Sequence, residues 1–330
     1  TTLAGTVRLT GNLAFTGQDL TLSGSENEVG GTVAVTNAGT WTMEEGADLT
    51  VTGAISQQGA GAVLLGADLT STTAGISFAK AVTLDSTDKV RLATGGGADD
   101  DLSFGATLGA NADESLTVDL GAGGDLVMTG AVTLGSGNLT ITAAADATFS
   151  STITAGAFMQ AAGSGTTTFG GALDLGGDFA FTGQAITLQS SGHDIDGSMT
   201  VTNAGPFTTA EGADLTVGEA FAQNGEGAVL LGDDLITDRD GISFAQAVTL
   251  ASDTADDVLV LTTGGGTGDD LLFGGTFSNT DNESVTLAAG AGGDLTVTGA
   301  VGDLGEGDLR IASARNATFS STVTADRFTQ

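Results

Sequence analysis

Two stretches of this chain gather glycine and aspartate at a spacing that could hold a divalent cation. Gly265-Gly266-Thr267-Gly268-Asp269-Asp270-Leu271-Leu272-Phe273 satisfies the nonapeptide Gly-Gly-x-Gly-x-Asp-x-U-x, where U is a large apolar residue. In that pattern glycine turns present carbonyl oxygens and the aspartate adds a carboxylate to Ca2+. The first-half counterpart, Gly96-Gly97-Ala98-Asp99-Asp100-Asp101-Leu102-Ser103-Phe104, departs from it. Asp99 replaces a turn glycine, and Ser103 replaces the apolar residue. Calcium rolls run such nonapeptides in tandem, so that adjacent turns share each ion, whereas here each copy stands alone. A structural turn is therefore the expected role, with Ca2+ as the alternative. Asp125 follows Asp100 by 25 residues, and Asp294 follows Asp269 by the same interval. If that interval is one coil of a solenoid, carboxylates stack at neighbouring levels, where like charges need a cation or water. The candidate metal ligands are Asp100, Asp101, Asp125, Asp269, Asp270 and Asp294.

Catalytic chemistry finds no such foothold. A lyase or glycosidase needs clustered acids with a positioned base, or several basic groups in one groove. Lys80, Lys89, Arg8, Arg91, Arg239, Arg310, Arg315 and Arg327 are scattered, and few recur between the halves. The sole histidine, His193, lies in the turn-like segment Ser190-Ser191-Gly192-His193-Asp194-Ile195 and is expected in solvent. Nothing places a serine, a histidine and an acid together. The chain is not expected to be an enzyme. Trp41 has Phe207 as its counterpart, which predicts packing rather than a platform for sugars.

Forty-one acidic residues against eight basic ones give a formal charge of −33. Nucleic acid and anionic membrane surfaces would repel such a molecule. High salt, or a surface that collects divalent cations, would suit it, and solubility of an apolar-cored rod accounts for most of the charge. Cysteine is absent, which excludes disulfides and thiolate metal sites. No uninterrupted apolar run is long enough to span a membrane. Strand-like sequence begins at Thr1 with no signal peptide before it, and the expectation is a mature fragment of something longer.

What positions these residues is a duplication. Val35–Gly39 returns as Val201–Gly205, Glu45–Val51 as Glu211–Val217, and Gly61–Gly66 as Gly227–Gly232, each 166 residues on. Two super-repeats follow, residues 1–166 and 167–330. Within each, short segments such as Val33-Ala34-Val35, Leu49-Thr50-Val51 and Leu139-Thr140-Ile141 alternate apolar with small or hydroxyl residues, the period of a strand with one buried face. No helical stripe appears, and glycine interrupts every window of helical length. A lead-in motif of a small residue, Asp or Asn, then Leu or Phe precedes many strands: Gly11-Asn12-Leu13, Ala47-Asp48-Leu49, Gly124-Asp125-Leu126, Gly293-Asp294-Leu295. Glycine is expected there to supply positive φ, and the Asx side chain to bond backbone two residues on. Equivalent strands recur at roughly 20–28 residues, as expected for a coil of three strands and three turns. The fold class is therefore all-β, a parallel β-helix or β-solenoid with strands of about four to six residues and six or seven coils per super-repeat. An antiparallel sandwich or barrel is the runner-up. The halves differ most at Ser25–Gly31 against Ser191–Gly197, and at Asp85–Val90 against Ala251–Val258. Such differences map to loops at coil edges.

The texture of Gly293–Val301, Thr318–Ala325 and Thr262–Gly275 resembles the β-solenoid arrays of very large bacterial surface proteins, the filamentous-haemagglutinin-like adhesins and autotransporter passengers. The resemblance covers the whole chain and rests on no diagnostic motif. It implies a right-handed β-helix, secretion to the cell surface, and a role as stalk or adhesive surface. The expected function is a non-catalytic extracellular structural segment, a stiff piece of a fibre whose partners are copies of itself. The alternative is an adhesin module that recognises a glycan or cell-surface partner through its lateral face or loops. Gln330 stops shortly before a third copy would begin, which predicts further repeats or end-to-end stacking.

Overall fold

The computed structural model describes the chain except Asp88, residues 252–257, Asp281 and the side chain of Asp303. Two compact units, Thr1–Thr167 and Thr168–Gln330, make it up. Each is a right-handed parallel β-solenoid with three sheets. Among the described residues there is no helix. The strand pairings are parallel, which removes the sandwich and the barrel.

One coil of the first unit serves for the rest. Leu49–Val51, Ile55–Gln57 and Val63–Leu65 form its three sides, and Leu69–Ser71 begins the next coil directly above the first side. Leu49 pairs with Leu69, Ile55 with Ile76, and Val63 with Val82. Most strands have three residues, shorter than the sequence predicts, with two side chains inward and the middle one outward. Three residues suffice because the backbone bonds run to the coils above and below, and turn residues fill the corners. Leu13–Gly17 finds its copy in Phe179–Gly183, twenty-three strands later in chain order. A super-repeat is thus seven coils and two further strands, slightly more than the spacing predicts.

Like residues stack through the core. In the first unit Trp41, Phe78 and Phe104 form a run with ring centroids 6.3 and 5.3 Å apart. In the second, Phe207, Phe221, Phe244 and Phe273 do so at 5.8, 5.3 and 5.5 Å. Each such ring is fully buried, and burying a side chain of this size contributes about 1.5–3 kcal/mol. Outward positions carry mostly hydroxyl residues in register, with one leucine in each column. Thr21, Thr42, Leu64, Thr83, Gly109 and Thr133 form one column in the first unit. Thr187, Thr208, Leu230, Thr249 and Ser278 form its counterpart in the second.

Candidate functional site

In each nonapeptide the aspartate just before the pattern's own Asp, Asp100 or Asp269, is spent on its own turn. Gly97 N–H donates to Asp100 Oδ2 at 2.8 Å, and Gly266 N–H donates to Asp269 Oδ2 at 2.6 Å. Asp100 and Asp269 are only 9% and 8% exposed, so each carboxylate has exchanged water for backbone donors. The Thr263 hydroxyl donates to the Asp269 carbonyl at 2.7 Å and closes the second turn further. Each carboxylate thus accepts one backbone N–H within its own turn. A Ca2+ ion would compete with these donors for the same oxygens.

The stacking expected of Asp100 with Asp125 and of Asp269 with Asp294 is off by one residue. Leu102 pairs with Leu126 and Leu271 with Leu295, so the level partners are Asp101 with Asp125 and Asp270 with Asp294. The backbone joins them: Asp125 N–H donates to Asp101 Oδ1 at 2.9 Å, and Asp294 N–H to Asp270 Oδ1 at 2.8 Å. The first ladder continues, with Asp146 N–H donating to Asp125 Oδ1 at 3.0 Å. The second ends on Arg315, which donates to Asp294 at 2.9 and 2.6 Å, while the Asn316 amide adds a bond at 2.9 Å. These bonds, Arg315 first and Asn316 second, hold the Asp294 carboxyl below its usual range. The six candidate ligands thus divide. Asp100 and Asp269 close turns, and Asp101, Asp125, Asp270 and Asp294 stand in corner ladders.

The ladder is a general device, and it corrects the reading of the lead-in motif. Asx side chains there reach across to the next coil rather than two residues along their own. Asn12 accepts from Thr32 N–H at 2.9 Å, Asp48 from Asp68 N–H at 3.0 Å, and Asp178 from Ser198 N–H at 2.9 Å. Nor do the motif glycines take positive φ. That conformation falls to Gly46 and Gly212 in the turn before it, at 74° and 73°. Gly124 is required for close approach instead: a Cβ there would lie 2.6 Å from the Asp100 carbonyl oxygen of the preceding coil.

Some features went unread. The carboxylates of Asp214, Asp233 and Asp234 come within 4.8 Å of one another. Burial, then a hydrogen bond with Asp233, then the charges of Asp233 and Asp234 push the Asp214 carboxyl above its usual range. Asp233 meanwhile accepts from Gly212 N–H at 2.6 Å and from Asp234 N–H at 2.8 Å. The signal was a substitution between the copies, since Asp233 stands where the first super-repeat has Ala67. His193, expected in solvent, lies in strand His193–Ile195 with its side chain in the core, 1% exposed. The contrast between Asp85–Val90 and Ala251–Val258 lies partly outside the described residues.

Of the basic residues, Arg310 and Arg327 line one depression of about 210 Å3 beside Asp308. Arg8 pairs with Glu26 and Glu28, Arg91 with Asp119, Arg315 with Asp294, and Arg327 with Asp308, all at least partly exposed and worth little individually. A surface depression of about 460 Å3 includes Leu9, Glu28, Thr50 and Thr52 in its lining, which offers one carboxylate and no base. Compared with family models, curated proteins and solved structures, the chain matches none.

Proposed function

We propose that this chain is a non-catalytic structural segment of an extracellular fibre, a stiff β-solenoid whose partners are further coils of its own kind. The observation that carries the reading is the coil-to-coil bonding. Each coil satisfies its backbone groups, and many of its corner side chains, on the coil before and the coil after it. A molecule built this way gains by extension, because one more coil pairs exposed strand edges that otherwise invite association. The likeness to adhesin and autotransporter arrays fits this role, as does a location at the cell surface.

Recognition of a glycan through a lateral face has less to work with. Sugar-stacking needs outward aromatic rings, and Trp41 with the phenylalanines of the inner coils faces the core, while the large side chains exposed on inner coils, such as Val127, Met159 and Leu272, are aliphatic.

Electron microscopy and sedimentation of the isolated chain over a range of concentrations test the proposal. Fibres that lengthen with concentration support it. Monomers that persist at the highest concentration overturn self-stacking.

A further inference from the structure

His193 occupies the place that Asn27 holds 166 residues earlier. Both side chains are 1% exposed, and both receive a backbone N–H from the preceding coil. Val7 N–H donates to Asn27 Oδ1 at 2.9 Å, and Leu173 N–H donates to His193 Nδ1 at 3.2 Å. Beyond that the two part. Asn27 Nδ2 donates onward to the carbonyls of Gly24, Ala47 and Asp48 at 2.5, 3.3 and 3.2 Å. His193 Nε2 is enclosed with no partner in hydrogen-bond geometry.

Because the Leu173 N–H points at Nδ1, that lone pair must stay unprotonated, and the neutral ring carries its proton on Nε2. A second proton can go only to Nδ1, where it would face another donor inside an apolar core. Burial lowers the imidazole from 6.5 to about 4, with the Ser190 backbone opposing in part. The carboxylates of the packed elements lie on the other side of the wall. Asp174 on the strand below, Asp194 on the same strand, Asp196 just after it and Asp214 just before the strand above are all exposed.

We propose that His193 makes its coil an acid-sensitive joint in the second super-repeat: protonation at Nδ1 breaks the Leu173 bond and releases strand His193–Ile195 from its neighbours, while the matching coil around Asn27 stays closed. The sign follows from linkage. An opened coil has the ordinary histidine pKa and binds more protons than the closed coil between pH 6.5 and about 4. Closure is fully favoured above that window and weakens through it as pH falls, by about 300-fold in all.

His193 is the only histidine, so its Hε1 proton gives a single proton-NMR resonance. The expected titration midpoint in the whole folded chain is near 4, and a midpoint near 6.5 overturns the proposal. Hydrogen exchange read by mass spectrometry at pH 7 and pH 4.5, corrected for intrinsic rates, supplies the second readout. Protection of Leu173–Leu175, His193–Ile195 and Leu215–Val217 should fall by about tenfold or more, while Asn27–Val29 and Leu49–Val51 hold. His193→Asn, which installs the residue of the first super-repeat, should abolish the loss, and Asn27→His should move it to the first unit. An unchanged acid response in His193→Asn sinks the idea whether or not Asn27→His folds.

Discussion

Gln57 Nε2 donates to Asn37 Oδ1 at 2.8 Å inside the first solenoid, and Gln223 donates to Asn203 at the same 2.8 Å in the second. Each glutamine also ties the turn that follows it: Gln57 donates to the Gly61 carbonyl at 2.9 Å and Gln223 to the Gly227 carbonyl at 3.2 Å. Their Oε1 atoms accept from Lys80 N–H and Ala245 N–H, both at 3.2 Å. All four side chains are essentially fully buried. The pair and its bonds to the following turn recur at the 166-residue offset, while the N–H donor to Oε1 shifts by one residue, so the polar pair is a fixed part of the coil.

Removing the glutamine should therefore cost more than the hydrogen bonds it makes, because the partners left behind are dry. Gln57→Ala is expected to destabilise the first unit by about 2 kcal/mol or more. Trp41 is the only tryptophan and is fully buried, so its fluorescence in urea titrations reports the change. A loss below about 0.5 kcal/mol would mean water replaces the amide at no penalty.

The corner ladder separates the hydrogen bond from the charge. Asp101→Asn keeps an oxygen for Asp125 N–H and should leave thermal stability within about 0.5 kcal/mol of the parent. Asp101→Ala loses the acceptor and should cost about 1 kcal/mol. Equal effects of the two substitutions in calorimetry would show that charge, and not the bond, matters there.

Calcium has a direct test. With Asp100 and Asp269 engaged by Gly97 and Gly266, millimolar Ca2+ should leave the melting temperature unchanged. A rise of several degrees that disappears in Asp269→Asn would establish a calcium site instead.

Asp294 predicts the pH response of the second ladder. Arg315 and Asn316 lower its folded pKa, so the stability it contributes is present above the unfolded value of 3.8 and is lost as pH falls through the lower folded value. In Arg315→Gln the Asp294 carboxyl should titrate at higher pH, which carbon-detected NMR can follow. High salt should weaken the pair in the parent chain. An unchanged midpoint in the variant would rule out Arg315 as the cause.

The solenoid was legible because a period-2 pattern states which side chains face inward, and a duplication confirms the phase. The same logic contained His193, which stands two residues before Ile195 as Asn27 stands two before Val29; its polarity and the neighbouring Ser190-Ser191-Gly192 hid it. Asn37 and Gln57 were hidden likewise, as polar residues on the inward phase of strands otherwise apolar there. The acidic turns were placed one residue out because coil length varies: Leu102 pairs with Leu126, and Leu49 with Leu69. Interval counting cannot assign level to a single aspartate when coils differ in length. Where an Asx side chain goes is decided by the coil above it, a contact no local window contains.

The ladder leaves one property of the molecule free to change. Asn12 and Asn282 accept a backbone N–H from the next coil at 2.9 and 3.2 Å, as aspartates do elsewhere. At these corners the architecture specifies an oxygen and is indifferent to whether it is ionised. The −33 charge can thus drift residue by residue with the salinity around the molecule, and the backbone would register none of it.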